Sequence, residues 1–177
     1  MVIADASSRP RLADAPVTAA TLREIGLFGA LSDDVLEKFA HGLHAEWIAP
    51  GEVVFREGDP AHSLYVLLDG EVEVLKKSRL AHEHRVALLG RNDCFGEMSL
   101  IDVQPRSATV RAVAPSRLLQ VKSEDFDRLY RQDLKSYALV TLNIARDLSR
   151  RLRVADRILA DVASSVVDPY GRSRADR

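Results

Sequence analysis

The residues best equipped for chemistry lie in one stretch: Phe95-Gly96-Glu97-Met98-Ser99-Leu100-Ile101-Asp102-Val103-Gln104-Pro105-Arg106-Ser107-Ala108-Thr109-Val110. Gly96 to Leu100 has the composition of a single helical turn entered through a glycine. The first amides of such a turn find no partner within it, so they present N–H groups to whatever lies in front and favour an anion there. Arg106 follows nine residues after Glu97, directly behind Pro105. Its planar guanidinium can pair with two oxygens of a phosphate at once. Glu97 is an acceptor of the kind that grips a sugar hydroxyl, and Ser107 adds a hydroxyl of its own. A phosphate donor, a ribose acceptor and free amides on one loop together describe a nucleotide site. The competing reading is that Glu97 and Arg106 simply pair across the loop.

These residues need a scaffold, and the flanking pattern predicts one. From Glu46 to Lys122 short apolar runs are broken by turn residues at intervals of roughly ten, which marks a β-sandwich or barrel. The runs are Glu52 to Arg56, Leu64 to Leu68, Val72 to Leu75, Val86 to Leu89, Ala108 to Val113 and Leu118 to Val121. Asp69-Gly70 accepts the positive φ of a tight hairpin turn, and Glu71 and Glu73 alternate with Val72 and Val74, so that one face is wet and one buried. Before this region, Thr18 to His44 reads as two short helices interrupted at Gly26 and Gly29, the second capped by Ser32. After it, Ser123 to Arg131 forms a short helix and a long one follows.

In that long helix Leu134, Ala138, Thr141, Ala145, Leu148, Leu152, Ala155, Leu159 and Val162 step by four and three in alternation, with Tyr137, Val140, Ile144 and Ile158 widening the seam. A seam of about four heptads is longer than a small β-domain can cover, so its far half is expected to meet a second copy and form a homodimer, with packing on the chain's own core as the alternative. Residues 1–17 are expected to be a flexible N-terminal tail, 18–163 the folded domain and 164–177 a C-terminal tail.

The glycine-led loop closely resembles the phosphate-binding cassette of the cyclic nucleotide-binding domain family. That pattern runs Phe-Gly-Glu, an apolar residue, a small residue, Leu, a short variable loop, then Arg, a small residue and Ala. Phe95-Gly96-Glu97-Met98-Ser99-Leu100 and Arg106-Ser107-Ala108 meet every fixed position. Gly58 and Gly70 match glycines of the family's β-roll, and the resemblance covers roughly residues 22 to 160. It implies an α+β, mainly β fold: an eight-stranded antiparallel β-roll of jelly-roll type, flanked by N-terminal helices and a long C-terminal helix. It further implies that Glu97 accepts the ribose 2′-hydroxyl and Arg106 neutralises the cyclic phosphate. The amides of Gly96, Glu97, Met98 and Ser99, with the Ser107 hydroxyl, would complete the phosphate cage. In this family Ser followed by Ala after the arginine is frequent in bacterial cyclic-AMP activators, so Ser107-Ala108 favours cAMP and leaves cGMP open. Base contacts in the family come from the long helix or its end, where Thr141, Asn143, Ser164 and Ser165 are the polar candidates.

The rest of the chain narrows the function classes. In 177 residues, 25 Lys plus Arg stand against 26 Asp plus Glu, so no global field draws in nucleic acid or an acidic membrane. The lone Cys94 allows no internal disulfide, and neither a signal peptide nor an apolar run of roughly 18 residues occurs, which points to a cytoplasmic protein. Arg146, Arg150, Arg151, Arg153 and Arg157 alternate with Asp147, Asp156 and Asp161 and read as a solvated helix face. Only about fifteen residues follow the long helix, too few for the helix-turn-helix that the family's transcription activators carry, so no direct DNA binding is expected. The output would then pass through an unknown protein effector or a change in dimer geometry. The expectation is a receptor rather than an enzyme, with no catalytic residue, cofactor or metal. Its alternatives are an interaction scaffold that has lost its ligand, and a metal-dependent cupin-like enzyme built on His82 and His84.

Overall fold

The computed structural model describes residues 16–80, 82–102 and 104–167, with side chains to residue 164; the expectations for residues 1–15 and 168–177 lie outside it. Helix α1 (Ala19–Arg23), a 3-10 turn at Gly26–Phe28 and α2 (Asp33–Ala40) precede the strands. Ser32 occupies the N-cap of α2, but its hydroxyl donates to the Asp34 carboxylate at 2.5 Å rather than receiving a backbone amide.

The eight strands are antiparallel and form two four-stranded sheets. One has the order β1 (His44–Ile48), β8 (Ser116–Lys122), β3 (Ser63–Asp69), β6 (Cys94–Phe95). The other has the order β2 (Val53–Phe55), β7 (Thr109–Ala112), β4 (Val72–Lys77), β5 (Glu83–Leu89). Six strands fall on the apolar runs. β1 and β6 were not picked out, because β6 has only two residues and half of β1 is polar. β5 begins three residues earlier than its apolar run, as a solvated edge.

The roll has two cores. Between the sheets lie Ile48, Tyr65, Leu67, Val72, Leu89, Phe95, Val110, Ala112 and Leu118. On the outer face of the first sheet Leu64, Val66, Leu119 and Val121 meet the helices through Leu22, Ile25, Phe28, Leu36, Phe39, Val140 and Ile144. β3 is therefore covered on both faces, which accounts for its unbroken apolar run, since only a strand exposed on one side must alternate. Gly70 (φ +94°) turns the hairpin between β3 and β4. A Cβ there would stand 2.5 Å from the Pro115 carbonyl, so both conformation and space demand glycine.

After the short α3 (Met98–Asp102), α4 (Ser123–Gln132) leads into α5 (Leu134–Val167), which runs four residues beyond the expected end of the domain. Val140 and Ile144 are buried on the outer core, whereas the four-three seam faces outward: Leu134 and Leu152 are more than half exposed, and Thr141 and Ala145 are also on the surface. Of the residues expected to widen the seam, Tyr137, Val140 and Ile144 do the packing and Ile158 is exposed, while within the seam itself Leu148 is partly buried against the core.

Candidate functional site

Between β6 and β7 the chain leaves the roll, makes the single turn of α3 and returns as Arg106. Its residues Gly96, Glu97, Met98, Ser99, Arg106, Ser107 and Ala108 wall a pocket of about 140 Å³, completed by Phe55, Val74, Phe95 and Val110 of the roll and by Arg151 of α5. All six proposed ligand-binding residues are brought together here. Glu97, Ser99 and Arg106 are buried at 4–5 % exposure, while Met98 and Ser107 stand at the open side. The Ser107 hydroxyl is turned toward Met98 Sδ at 3.8 Å.

Arg106 forms the floor. Nη1 donates to the carbonyls of Ser63 (2.7 Å) and Gly96 (3.1 Å), and Nη2 donates to Ser63 Oγ (3.2 Å). The guanidinium carbon lies 4.0 Å above the centre of the Phe55 ring and 5.6 Å from that of Tyr65, a cation–π arrangement. Tyr65 stacks in turn on Phe95, with centroids 5.5 Å apart. Gly96 takes φ +76°, and a Cβ there would come within 2.4 Å of Arg106 Nη1, so glycine is what lets the loop close over the guanidinium. Nε is buried without a hydrogen-bond partner among the described residues. Burial pushes the Arg106 pKa down from its ordinary value without removing its charge. The Arg106 cation is thus buried with its bonded N–H groups on neutral oxygens and with Nε unpartnered, a setting that favours an anion nearby.

Glu97 does not pair with Arg106 in the way the competing reading supposed. Its Oε1 lies 3.4 Å from Nη1 of Arg151, whose other nitrogen donates to the Cys94 carbonyl and lies 2.8 Å from Asp147 Oδ2. Burial raises the Glu97 pKa above the usual carboxylate range, and the Arg151 charge opposes that rise only in part. On the far side of Glu97 and Asp147, a second cavity of about 240 Å³ opens between the Gly26–Phe28 turn, Asn92, Asp93 and α5. Arg151 was expected on a solvated face and instead bridges α5 to the floor of the site. Phe55, Tyr65 and Ser63 also went unforeseen, being ordinary strand residues by type. Thr141 and Ser164 line neither cavity and donate to carbonyls of their own helix, whereas Asn143 lines the second cavity and donates to the carbonyls of Leu27 and Gly29. Ser165 has its backbone in α5, and its side chain lies outside the described residues. His82 and His84 are exposed, and neither lines the pocket.

Roll, single-turn loop and buried arginine frame this pocket, and α5 borders it through Arg151. The family model described as "Cyclic nucleotide-binding domain" matches residues 45–133, and the chain belongs to that family. It is 40 % identical over 130 residues to the "Cyclic AMP receptor protein" of Thermus thermophilus, covering 73 % of this chain and 58 % of that one. It is 31 % identical over 128 residues to the "cAMP-dependent protein kinase regulatory subunit" of Blastocladiella emersonii, covering 72 % and 31 %. Among solved structures, a cyclic nucleotide-binding domain from Methylobacillus flagellatus superposes with a TM-score of 0.72 at 28 % identity, over 81 % of each chain. The chain therefore spans well under two thirds of the length of the curated relatives it matches. Among the described residues no helix is long and apolar enough to cross a membrane.

Proposed function

We propose that the chain is a receptor for a cyclic nucleotide, cAMP in preference to cGMP, and that it acts through movement of α5 or through a protein partner rather than by catalysis. The observation that carries this reading is the buried Arg106 with its unpartnered Nε, facing Glu97 across one pocket. The cyclic phosphate would take the free donor of Arg106 and the amides of Gly96 to Ser99, with Ser107 at the rim. Glu97 would accept the ribose 2′-hydroxyl. The names of the Thermus and Blastocladiella relatives and the Ser107-Ala108 pair support the choice of adenine.

The same geometry supplies a switch. Neither cavity alone reaches the roughly 300 Å³ of an ordinary small-molecule site, and Arg151 holds the carboxylate that the ribose would need. A ribose that met Glu97 would compete with Arg151 for that carboxylate and so bear on α5. A ligand that makes different contacts in two positions of a helix shifts their populations.

Calorimetric titration with cAMP and cGMP tests the reading, beside the variants Arg106→Ala and Glu97→Ala. Micromolar or tighter binding by the wild type is expected. Loss of one partner of a buried charge-assisted pair, about 2–5 kcal/mol, weakens it roughly 30-fold or more. Absence of heat and of thermal stabilisation with either nucleotide would leave the alternative of an interaction scaffold.

A further inference from the structure

The main chain of Arg106 is held from both sides by the loop between β2 and β3. Gly58 N donates to the Arg106 carbonyl and Arg106 N donates to the Asp59 carbonyl, each at 2.9 Å. That loop is a closed turn, with Arg56 N on Asp59 Oδ2 at 2.8 Å and Asp59 N on the Arg56 carbonyl at 3.1 Å. Wherever the turn sits, the arginine sits. Glu57 fastens the turn. Its amide donates to the buried Thr109 hydroxyl (3.0 Å), one carboxylate oxygen accepts from Lys76 Nζ (2.9 Å) and the other from the Lys77 amide (3.1 Å). Lys76 Nζ donates also to the Ser107 carbonyl. One ammonium thus joins β4, the β2–β3 turn and the residue next to the anion-binding arginine, although neither Glu57 nor Lys76 lines the pocket. The hydrogen bond from Lys76, and after it the one from the Lys77 amide, holds the Glu57 carboxyl below its ordinary pKa, as expected of a formed bridge. An ion pair whose lysine is half exposed adds little to stability. Its place behind Arg106 and Ser107 gives it another use.

We propose that Glu57 and Lys76 are positioning residues for the phosphate-binding arm, holding the main chain at Arg106 and Ser107 ready for the ligand. The inference rests on the cyclic-nucleotide reading. Binding to a prepared site avoids the cost of ordering it, and a slack arm adds that cost to every binding event. Coulomb's law alone predicts opposite effects for the two residues: losing the Lys76 cation weakens an anion's binding, and losing the Glu57 carboxylate tightens it. Positioning predicts that both losses weaken it.

The test is calorimetric and stopped-flow titration of the full chain with cAMP, using wild type, Lys76→Met, Lys76→Arg and Glu57→Ala. Lys76→Met and Glu57→Ala are expected to raise Kd roughly 3- to 10-fold, the ordering cost of one or two side chains, mainly through faster dissociation. Lys76→Arg, which keeps charge and donors, restores Kd to within about twofold of wild type. The melting temperature without ligand should move by less than about 4 °C in each variant. Tighter binding by Glu57→Ala reduces the pair to a field effect and overturns the inference, and an unchanged Kd in Lys76→Met does the same. A wild type that binds neither cAMP nor cGMP overturns the receptor reading itself, and the positioning role falls with it.

Discussion

Arg106 and Glu97 are each expensive to bury, and the expense identifies them. The bonded N–H groups of Arg106 end on neutral oxygens and its Nε on nothing among the described residues, and burial raises the Glu97 pKa by more than the Arg151 charge lowers it. The second imbalance makes a pH prediction. The folded-state pKa of Glu97 is raised, so between the unfolded value of about 4.3 and that raised value the native chain binds more protons than the unfolded one. Stability without ligand therefore falls as pH rises through this window. The charged groups facing the carboxyl are Arg151 and Asp147 of α5 and Arg106 of the floor. Glu97→Gln removes the titration while keeping the shape. Melting curves from pH 4 to 7 should show the variant gaining on the wild type as pH rises and then running parallel to it. A gap constant across that range would mean that Glu97 ionises as freely folded as unfolded. Glu97 and Arg106 were legible in the sequence because one loop carries them both, nine positions apart. Ser63 and Phe55 were not, since only the folding of distant strands brings them beneath Arg106.

At the level of secondary structure, α5 repays closer inspection than its arginine run invites. Val140, Ile144, Asp147 and Arg151 step by four, three and four along one face, so the inward stripe ends on Arg151 rather than on an apolar residue. That continuation was available in the sequence, but interleaved Asp and Arg made the face read as solvated. Asn143, considered for the base, instead ties α5 to the Gly26–Phe28 turn through two 3.1 Å hydrogen bonds. The helix and the N-terminal turn are therefore one mechanical unit. Asn143→Ala strands two carbonyls in a half-buried setting and is expected to cost about 1–2 kcal/mol, or roughly 2–6 °C in melting temperature. Hydrogen exchange should quicken at residues 26–31 while β3 and β8 stay protected. Equal quickening across the roll would show that the contact supports the whole fold rather than this joint. The strands were easier to foresee than this joint, because period-two patterning is local and a helix's choice of partner is not.

For the molecule as a whole, nearly the whole second half of α5, from Leu152 onward, lies outside the chain's own packing. From Leu152 to Ser164 every residue is exposed, including Leu152 (62 %), Ile158 (58 %), Leu159 (67 %) and Val162 (54 %). An isolated helix of this length is marginal in water, and helices in proteins persist mainly by burying an apolar stripe. The roll offers no surface here, as the chain's own packing on α5 ends at Arg151. The four-three spacing of Leu148, Leu152, Ala155, Leu159 and Val162 is the spacing that two parallel or antiparallel copies of one helix bury against each other. Together with the exposed Leu134, Ala138, Thr141 and Ala145 of the first half of the helix, this supports a homodimer in which each Arg151 stands just inside the joint. Nucleotide binding at one site would then be felt at the partner's helix. Sedimentation equilibrium of the wild type should give a dimer at low micromolar concentration. Leu152→Glu with Leu159→Glu should give a monomer that retains its β-sheet circular dichroism and has lost helix signal from the unsupported second half of α5. A wild type that stays monomeric at high micromolar concentration, with α5 fully helical, would remove the dimer and leave the seam to another protein.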